Sequence, residues 1–178
     1  SYGTVCLDTR TGEPIWERRD LECDHFRGPG SSPIVHGDLL YLTFDGYDLQ
    51  YVAALDKKSG KTVWKKDRGI DYQTTNGDAM KGYSTPSIIE VAGRELLISP
   101  SAYATIAYQP RTGEPIWTVS HKGMNAAGRP LFGNGLLYIN TADGPNPLVA
   151  VNPEGKGDIT KNIVWTSSKQ IPKRPAQI

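Results

Sequence analysis

Four tryptophans, Trp16, Trp64, Trp117 and Trp165, recur at spacings of 48, 53 and 48 residues. Each closes a related phrase. Residues 6–16 read CLDTRTGEPIW, residues 54–64 ALDKKSGKTVW and residues 107–117 AYQPRTGEPIW. Residues 150–165 read AVNPEGKGDITKNIVW, the same phrase with five residues inserted. A self-similar unit of ~40–50 residues, rich in strand formers, restricts the chain to a β-propeller or a related array.

The second repeat shows why each unit should form four strands. Ser32-Pro33-Ile34-Val35-His36 is a short apolar segment in which proline can open a strand without costing a ladder bond. Gly37-Asp38 is a tight-turn pair. Leu39–Phe44 is dense in apolar, β-favouring residues, as a strand covered on both faces would be. Asp45-Gly46-Tyr47-Asp48 reads as a loop and Tyr51–Asp56 as a third strand. Lys57-Lys58-Ser59-Gly60 then makes a hairpin with Gly60 in a left-handed position, and Lys61–Lys66 leaves as a polar-alternating fourth strand. Polarity rises along the unit, which places strand one at the propeller axis and strand four at the rim.

The other units follow. One half blade covers residues 1–20 and full blades cover 30–67, 83–120 and 127–167, with 168–178 as the approach to another blade. The expectation is an all-β propeller of four-stranded antiparallel blades, about three and a half present, cut from a seven- or eight-bladed ring. A half-propeller that dimerises, or an open array, is the alternative. Cut edges would leave unpaired strand groups, so edge association or a dimer is expected.

Composition narrows the function. The 178 residues include 20 basic and 19 acidic side chains, for a net charge of +1, and no basic stripe. Nucleic acid is therefore not an expected partner. No apolar run reaches the ~18–20 residues of a membrane helix, and no signal segment precedes the first repeat. The 19 glycines and 13 prolines fit many short strands joined by tight turns. Cys6 and Cys23 could close a loop, or Cys6 could stay reduced in the small strand position that Ala54, Ala107 and Ala150 hold elsewhere.

The phrase Ala-x-Asp-x-x-(Thr/Ser)-Gly-x-x-x-Trp resembles the tryptophan-docking repeat of pyrroloquinoline-quinone (PQQ)-like propellers. Ala54, Asp56, Ser59, Gly60 and Trp64 fit it fully; Cys6 replaces Ala in the first copy and Gln109 replaces Asp in the third. The resemblance implies that Trp16, Trp64, Trp117 and Trp165 pack between blades, and that Gly12, Gly60 and Gly113 make the outer hairpin turns. It also implies two functional classes. Some members are dehydrogenases that oxidise alcohols or sugars with PQQ and calcium. Others are extracytoplasmic scaffolds, including the propeller lipoprotein that helps insert outer-membrane proteins. The adjacent cysteine pair that often covers the cofactor in the enzymes is not present here.

Loops joining strand four to the next strand one, and strand two to strand three, should emerge on one face. Three are long, at 17–31, 66–83 and 119–128, and long loops in compact domains are functional or mobile. Candidate binding residues on them are Asp24, His25, Arg27, Asp71, Tyr72, Asn76, His121 and Arg129, joined by Asp45 and Tyr47 from a shorter loop. Asp24-His25 with Arg27 could form a general base with an anion partner, or a solvated loop. Asp45, Asp48 and Asp143 could offer oxygen ligands to calcium, or serve as ordinary turn residues. No catalytic residue, metal site or bound cofactor is assigned. The expected function is a non-catalytic, extracytoplasmic binding or scaffold propeller, periplasmic or in the cell envelope. It would hold a protein, peptide or carbohydrate on the long-loop face. The alternatives are part of a PQQ- and calcium-dependent dehydrogenase, or a purely structural segment.

Overall fold

A computed structural model describes residues 3–169 and 171. The half blade is a hairpin of β1 (Thr4–Leu7) and β2 (Pro14–Arg18). The next blade runs β3 (Ile34–His36), β4 (Leu39–Asp45), β5 (Gln50–Asp56) and β6 (Thr62–Asp67). The one after it runs β7 (Ser87–Val91), β8 (Arg94–Pro100), β9 (Ala104–Tyr108) and β10 (Pro115–Ser120). The last comprises β11 (Leu131–Gly133), β12 (Leu136–Asn140), β13 (Leu148–Val151) and, after a two-residue strand β14 (Gly157–Asp158), β15 (Ile163–Ser167). Every pairing inside a blade is antiparallel between sequence neighbours of the sheet, the meander of a propeller blade. Beyond Lys169 and Ile171, the expected approach to a further blade lies outside the described residues.

Strand period explains the layering. Along β4 and β5, side chains alternate between two buried faces. Leu42, Phe44, Tyr51, Ala53 and Leu55 pack back towards Trp16 of the half blade and Leu21 and Cys23 of the loop that follows it. Tyr41, Val52, Ala54 and Trp64 pack forward against Leu97, Ile106 and Tyr108 of the next blade. The following seam repeats the arrangement with Ile98, Ala107, Trp117 and Val119 against Leu137, Ile139 and Val149. The outer strand β6, with only Trp64 buried, faces solvent with its lysines.

The repeated phrase does one local job three times. Asp8 Oδ1 accepts the amides of Arg10 and Thr11, and Asp56 Oδ1 accepts the Ser59 amide and hydroxyl. Gln109, where the pattern has Asp, uses its Oε1 on the Thr112 amide and hydroxyl, so the turn survives the replacement. Gly12, Gly60 and Gly113 close these turns with φ of 75°, 70° and 70°. Trp16 Nε1 then donates to Lys57 O at 3.0 Å, and Trp64 Nε1 to Pro110 O at 2.8 Å.

Two details differ from the sequence reading, and the cysteine alternative it left open resolves to the reduced form. Pro33, Pro86 and Pro130 stand one position before their strands, which begin at Ile34, Ser87 and Leu131. The inserted turn of the last repeat is not a plain loop. Its β14 pairs in parallel with β10, matching Trp117 to Gly157, and gives that sheet a fifth strand. Cys6 and Cys23 are both free thiols, Cys6 half-buried and Cys23 buried.

Candidate binding face

The loops after each fourth strand lock onto the loops between second and third strands of the next blade. The Tyr47 amide donates to Asp24 O at 2.6 Å, and the Asp24 amide donates to Asp48 Oδ1 at 2.7 Å. Within one blade, Tyr103 N–H of the loop between β8 and β9 donates to Gly123 O at 2.7 Å, and His121 N–H, just past β10, donates to Tyr103 O at 2.8 Å. Met124 and Asp143 form a bridge in both directions. Neighbouring long loops are also joined, through Asn125 N–H to Lys81 O and Tyr83 N–H to Ala126 O. Among the described residues, five of the seven non-glycine residues with positive φ (Phe26, Gln73, Tyr103, Asn125 and Ala142) lie on this face. Such backbone is costly and persists where surrounding bonds fix it.

Beneath the face, Asp45 at the end of β4 meets Arg68, just past the end of β6. Nε reaches Oδ1 at 2.9 Å and Nη2 reaches Oδ2 at 2.7 Å, with each side chain 1% exposed. Arg68 Nη1 also bonds Ser99 O and Oγ, while Ser101 Oγ donates to Asp45 Oδ1. The network crosses from one blade to the next. Burial opposes the guanidinium charge, but the adjacent Asp45 carboxylate outweighs it and holds the Arg68 pKa above its ordinary value. Tyr72 is buried beside the network, edge-on to Tyr103, and burial pushes its hydroxyl up to about 12.

The remaining candidates separate into distinct roles. Asp24 is exposed, and its Oδ1 accepts the Phe26 amide at 2.8 Å. His25 is buried; its ring lies 6.0 Å from Phe44 and its Nδ1 is 3.9 Å from Cys23 Sγ. Burial lowers the imidazole pKa, so the ring is neutral near pH 7. Burial, with Asp48 and Asp45 nearby, pushes the Cys23 thiol up to about 12, which keeps it protonated. Asp24 and His25 thus adjoin in sequence but face different partners. Arg27 lies over the Phe26 ring at 5.6 Å. Asp71 caps the amide of Gln73, and Asn76 caps the short 3-10 turn Gly77–Met80 through Asp78 N–H. His121 accepts from Gly123 N–H at Nδ1 and meets Thr105 Oγ1 through Nε2; burial takes its pKa down to about 4. Arg129 Nε donates to Ser87 Oγ at 2.9 Å.

The possible calcium oxygens are spread apart by these bonds. Asp45 faces Arg68, Asp48 holds the amides of Asp24 and Leu49, and Asp143 meets Asn125 Nδ2. Among the described residues, no three His, Cys, Asp or Glu side chains are grouped to hold a metal ion. No helix among them is long and apolar enough to cross a membrane.

One surface feature joins the expected Tyr47 to residues that the sequence reading did not single out. Phe26, 61% exposed, sits 5.9 Å from Tyr47, 41% exposed, and Leu49 of the same loop is 43% exposed. Lys81 Nζ lies 4.6 Å from the Phe26 ring and bonds Asp78. The available signal was an aromatic residue standing alone in the polar run Asp24–Gly28. Arg68 gave none, because nothing local links it to Asp45.

Comparisons with known proteins agree with this architecture. Residues 1–66 match the family model described as outer membrane protein assembly factor BamB. The 1-butanol dehydrogenase (quinone) of Thauera butanivorans is 32% identical over 130 residues, covering 66% of this chain and 20% of that protein. The quinoprotein ethanol dehydrogenase of Pseudomonas aeruginosa is 32% identical over 132 residues, with the same coverage. The chain thus spans about a fifth of these relatives. BamB from Moraxella catarrhalis superposes with a TM-score of 0.64 at 19% identity, over 92% of this chain and 47% of that one. The quinohemoprotein alcohol dehydrogenase from Comamonas testosteroni superposes with a TM-score of 0.62 at 18% identity, over 93% and 32%. At such identities the superpositions establish the fold.

Proposed function

We propose that this chain, a PQQ-like β-propeller repeat protein, works as a binding propeller whose long-loop face holds a protein partner in the cell envelope. The observation that carries the reading is the interlocked loop face. Its backbone is fixed by hydrogen bonds between successive blades, and it presents Phe26, Tyr47 and Leu49 to solvent. A rigid face with exposed aromatic anchors is suited to recognition, because little ordering entropy remains to be lost on binding. The titratable side chains packed beneath it serve the fold: Asp45 with Arg68, His121 with Thr105 and Gly123. The envelope location draws support from the match to an outer membrane assembly factor.

A second reading, part of a quinoprotein alcohol dehydrogenase, is favoured by the 32% identity to two quinone-dependent enzymes. One experiment separates the two. The full-length protein is isolated with its envelope partners and also titrated with PQQ and calcium. The binding reading expects a partner that is lost with F26S/Y47S and kept with the rim variant K57E/K65E. Saturable PQQ binding near or below micromolar, with a rise in thermal midpoint, would move the assignment to the dehydrogenase.

A further inference from the structure

We propose that the cleft beside Phe26 receives a lysine or arginine side chain of the partner, while the adjoining apolar residue of the same segment rests on Phe26, Tyr47 and Leu49. This assignment rests on the binding reading above and specifies the partner's chemistry. The cleft holds about 570 Å³ and its wall includes Arg19, Glu22, Asp24, His25, Phe26 and Asp48. Three carboxylates face one guanidinium, and Arg19 already pairs with Glu17. The cleft is therefore net acidic, which suits a basic side chain.

Two of the carboxylates have acceptor capacity to spare. Asp24 and Asp48 each use Oδ1 on backbone amides, and their Oδ2 atoms have no partner among the described residues. The second observation is His25. Its ring, 9% exposed, forms part of the wall, with Nδ1 turned to Cys23 and Nε2 unpartnered among the described residues. Lowered basicity keeps that ring neutral, so it does not compete for the carboxylates. Of the two other cations beside Phe26, Lys81 is committed to Asp78 and almost fully buried, and Arg27 lies over the Phe26 ring at 5.6 Å; even with Arg27 counted, three carboxylates face two guanidiniums.

The apolar half of the site is held in place by backbone. Phe26 has φ 60°, and Arg27 N–H closes a three-residue turn on His25 O at 2.6 Å. A turn of this kind is rare and strained, and here it lifts an aromatic ring into solvent.

The test uses 15N-labelled protein and three probes: N-acetyl-leucyl-arginine amide, its citrulline analogue and N-acetyl-leucyl-glutamate amide. The arginine probe is expected to give saturable shifts at the amides of Asp24, Phe26, Asp48 and Leu49. The neutral citrulline probe should bind at least tenfold more weakly and the glutamate probe not at all. D24N/D48N keeps the amide-accepting oxygens, so the fold is retained, but the arginine probe should lose at least fivefold in affinity. Equal binding of arginine and citrulline probes, no effect of D24N/D48N, or no saturable shift with the arginine probe would each overturn the assignment. If the arginine probe fails while F26S/Y47S still abolishes partner recovery, only the basic-side-chain assignment falls and the loop-face reading stands.

Discussion

The indole of Trp64 lies where a side chain on Gly113 would be: a Cβ built there comes 2.6 Å from both Cδ2 and Cε3. The same relation holds between Trp16 and Gly60, again at 2.6 Å. Trp16 and Trp64 are therefore each seated on the outer hairpin of the following blade, and glycine is required there both for the left-handed turn and for the approach of the ring. G113A should cost about 2–4 kcal/mol, from overpacking added to the left-handed strain. G12A, at φ 75° with nothing within 4 Å, should cost only the strain, about 1–2 kcal/mol. W64A should cost about 3–5 kcal/mol, and W165A, 41% exposed, clearly less. Urea midpoints of the four variants check the order, and equal losses for G113A and G12A would refute the seating.

The Asp45–Arg68 pair should be costly to break on one side only. D45N leaves a buried guanidinium without its counter-charge, a loss of about 3–5 kcal/mol. D45L/R68M removes both charges and should recover a large part of that loss. Chemical denaturation of the single and double variants measures the coupling. A double variant no better than D45N would show that the serine contacts, rather than charge pairing, hold this seam.

Acid should begin to weaken the fold above the range in which the carboxylates titrate. His121 is held at about 4 in the folded chain against an ordinary 6.5, so the unfolded chain takes up the proton first. Its contribution is fully present above pH 6.5 and drains away as pH falls from 6.5 to 4. The loss is of order 1–3 kcal/mol at the lower limit. His25 is displaced in the same direction and adds to the slope. H121N should flatten, without abolishing, the fall in denaturation midpoint between pH 6.5 and 4.5; an unchanged slope would acquit His121.

Cys23 should be chemically quiet. With its thiol pushed up to about 12 and its Sγ under Gly46, iodoacetamide at pH 8 should label half-buried Cys6 well before Cys23. Time-resolved peptide mass spectrometry separates the two sites, and faster loss of the Cys23 thiol would contradict the burial described.

The parts legible in the sequence were those that repeat. Trp16, Trp64 and Trp117 announced the seams, the hairpin glycines announced the turns, and alternating apolar strands announced the doubly covered sheets. Gln109 shows why the pattern tolerates a mismatch: an amide oxygen caps the turn as a carboxylate does. What stayed hidden was either unique or distant. The insertion around Gly157 has no counterpart in the other repeats, so its pairing with β10 had no template. Arg68 and Asp45 are 23 residues apart, with no periodicity joining them. For Asp24-His25 the string shows adjacency and so admits either a general base or a solvated loop, whereas the direction in which each side chain points is not visible in it.

The seating of each indole on the next blade has a consequence for synthesis. Trp64 finds its carbonyl acceptor at Pro110, 46 positions further on, and Trp16 finds its own at Lys57, 41 positions further on. A ribosome working from the N-terminus therefore releases each ring before its seat has been made. These two seams are finished only by the succeeding blade, so during synthesis Trp16 and then Trp64 stay unsheltered until the next outer hairpin emerges.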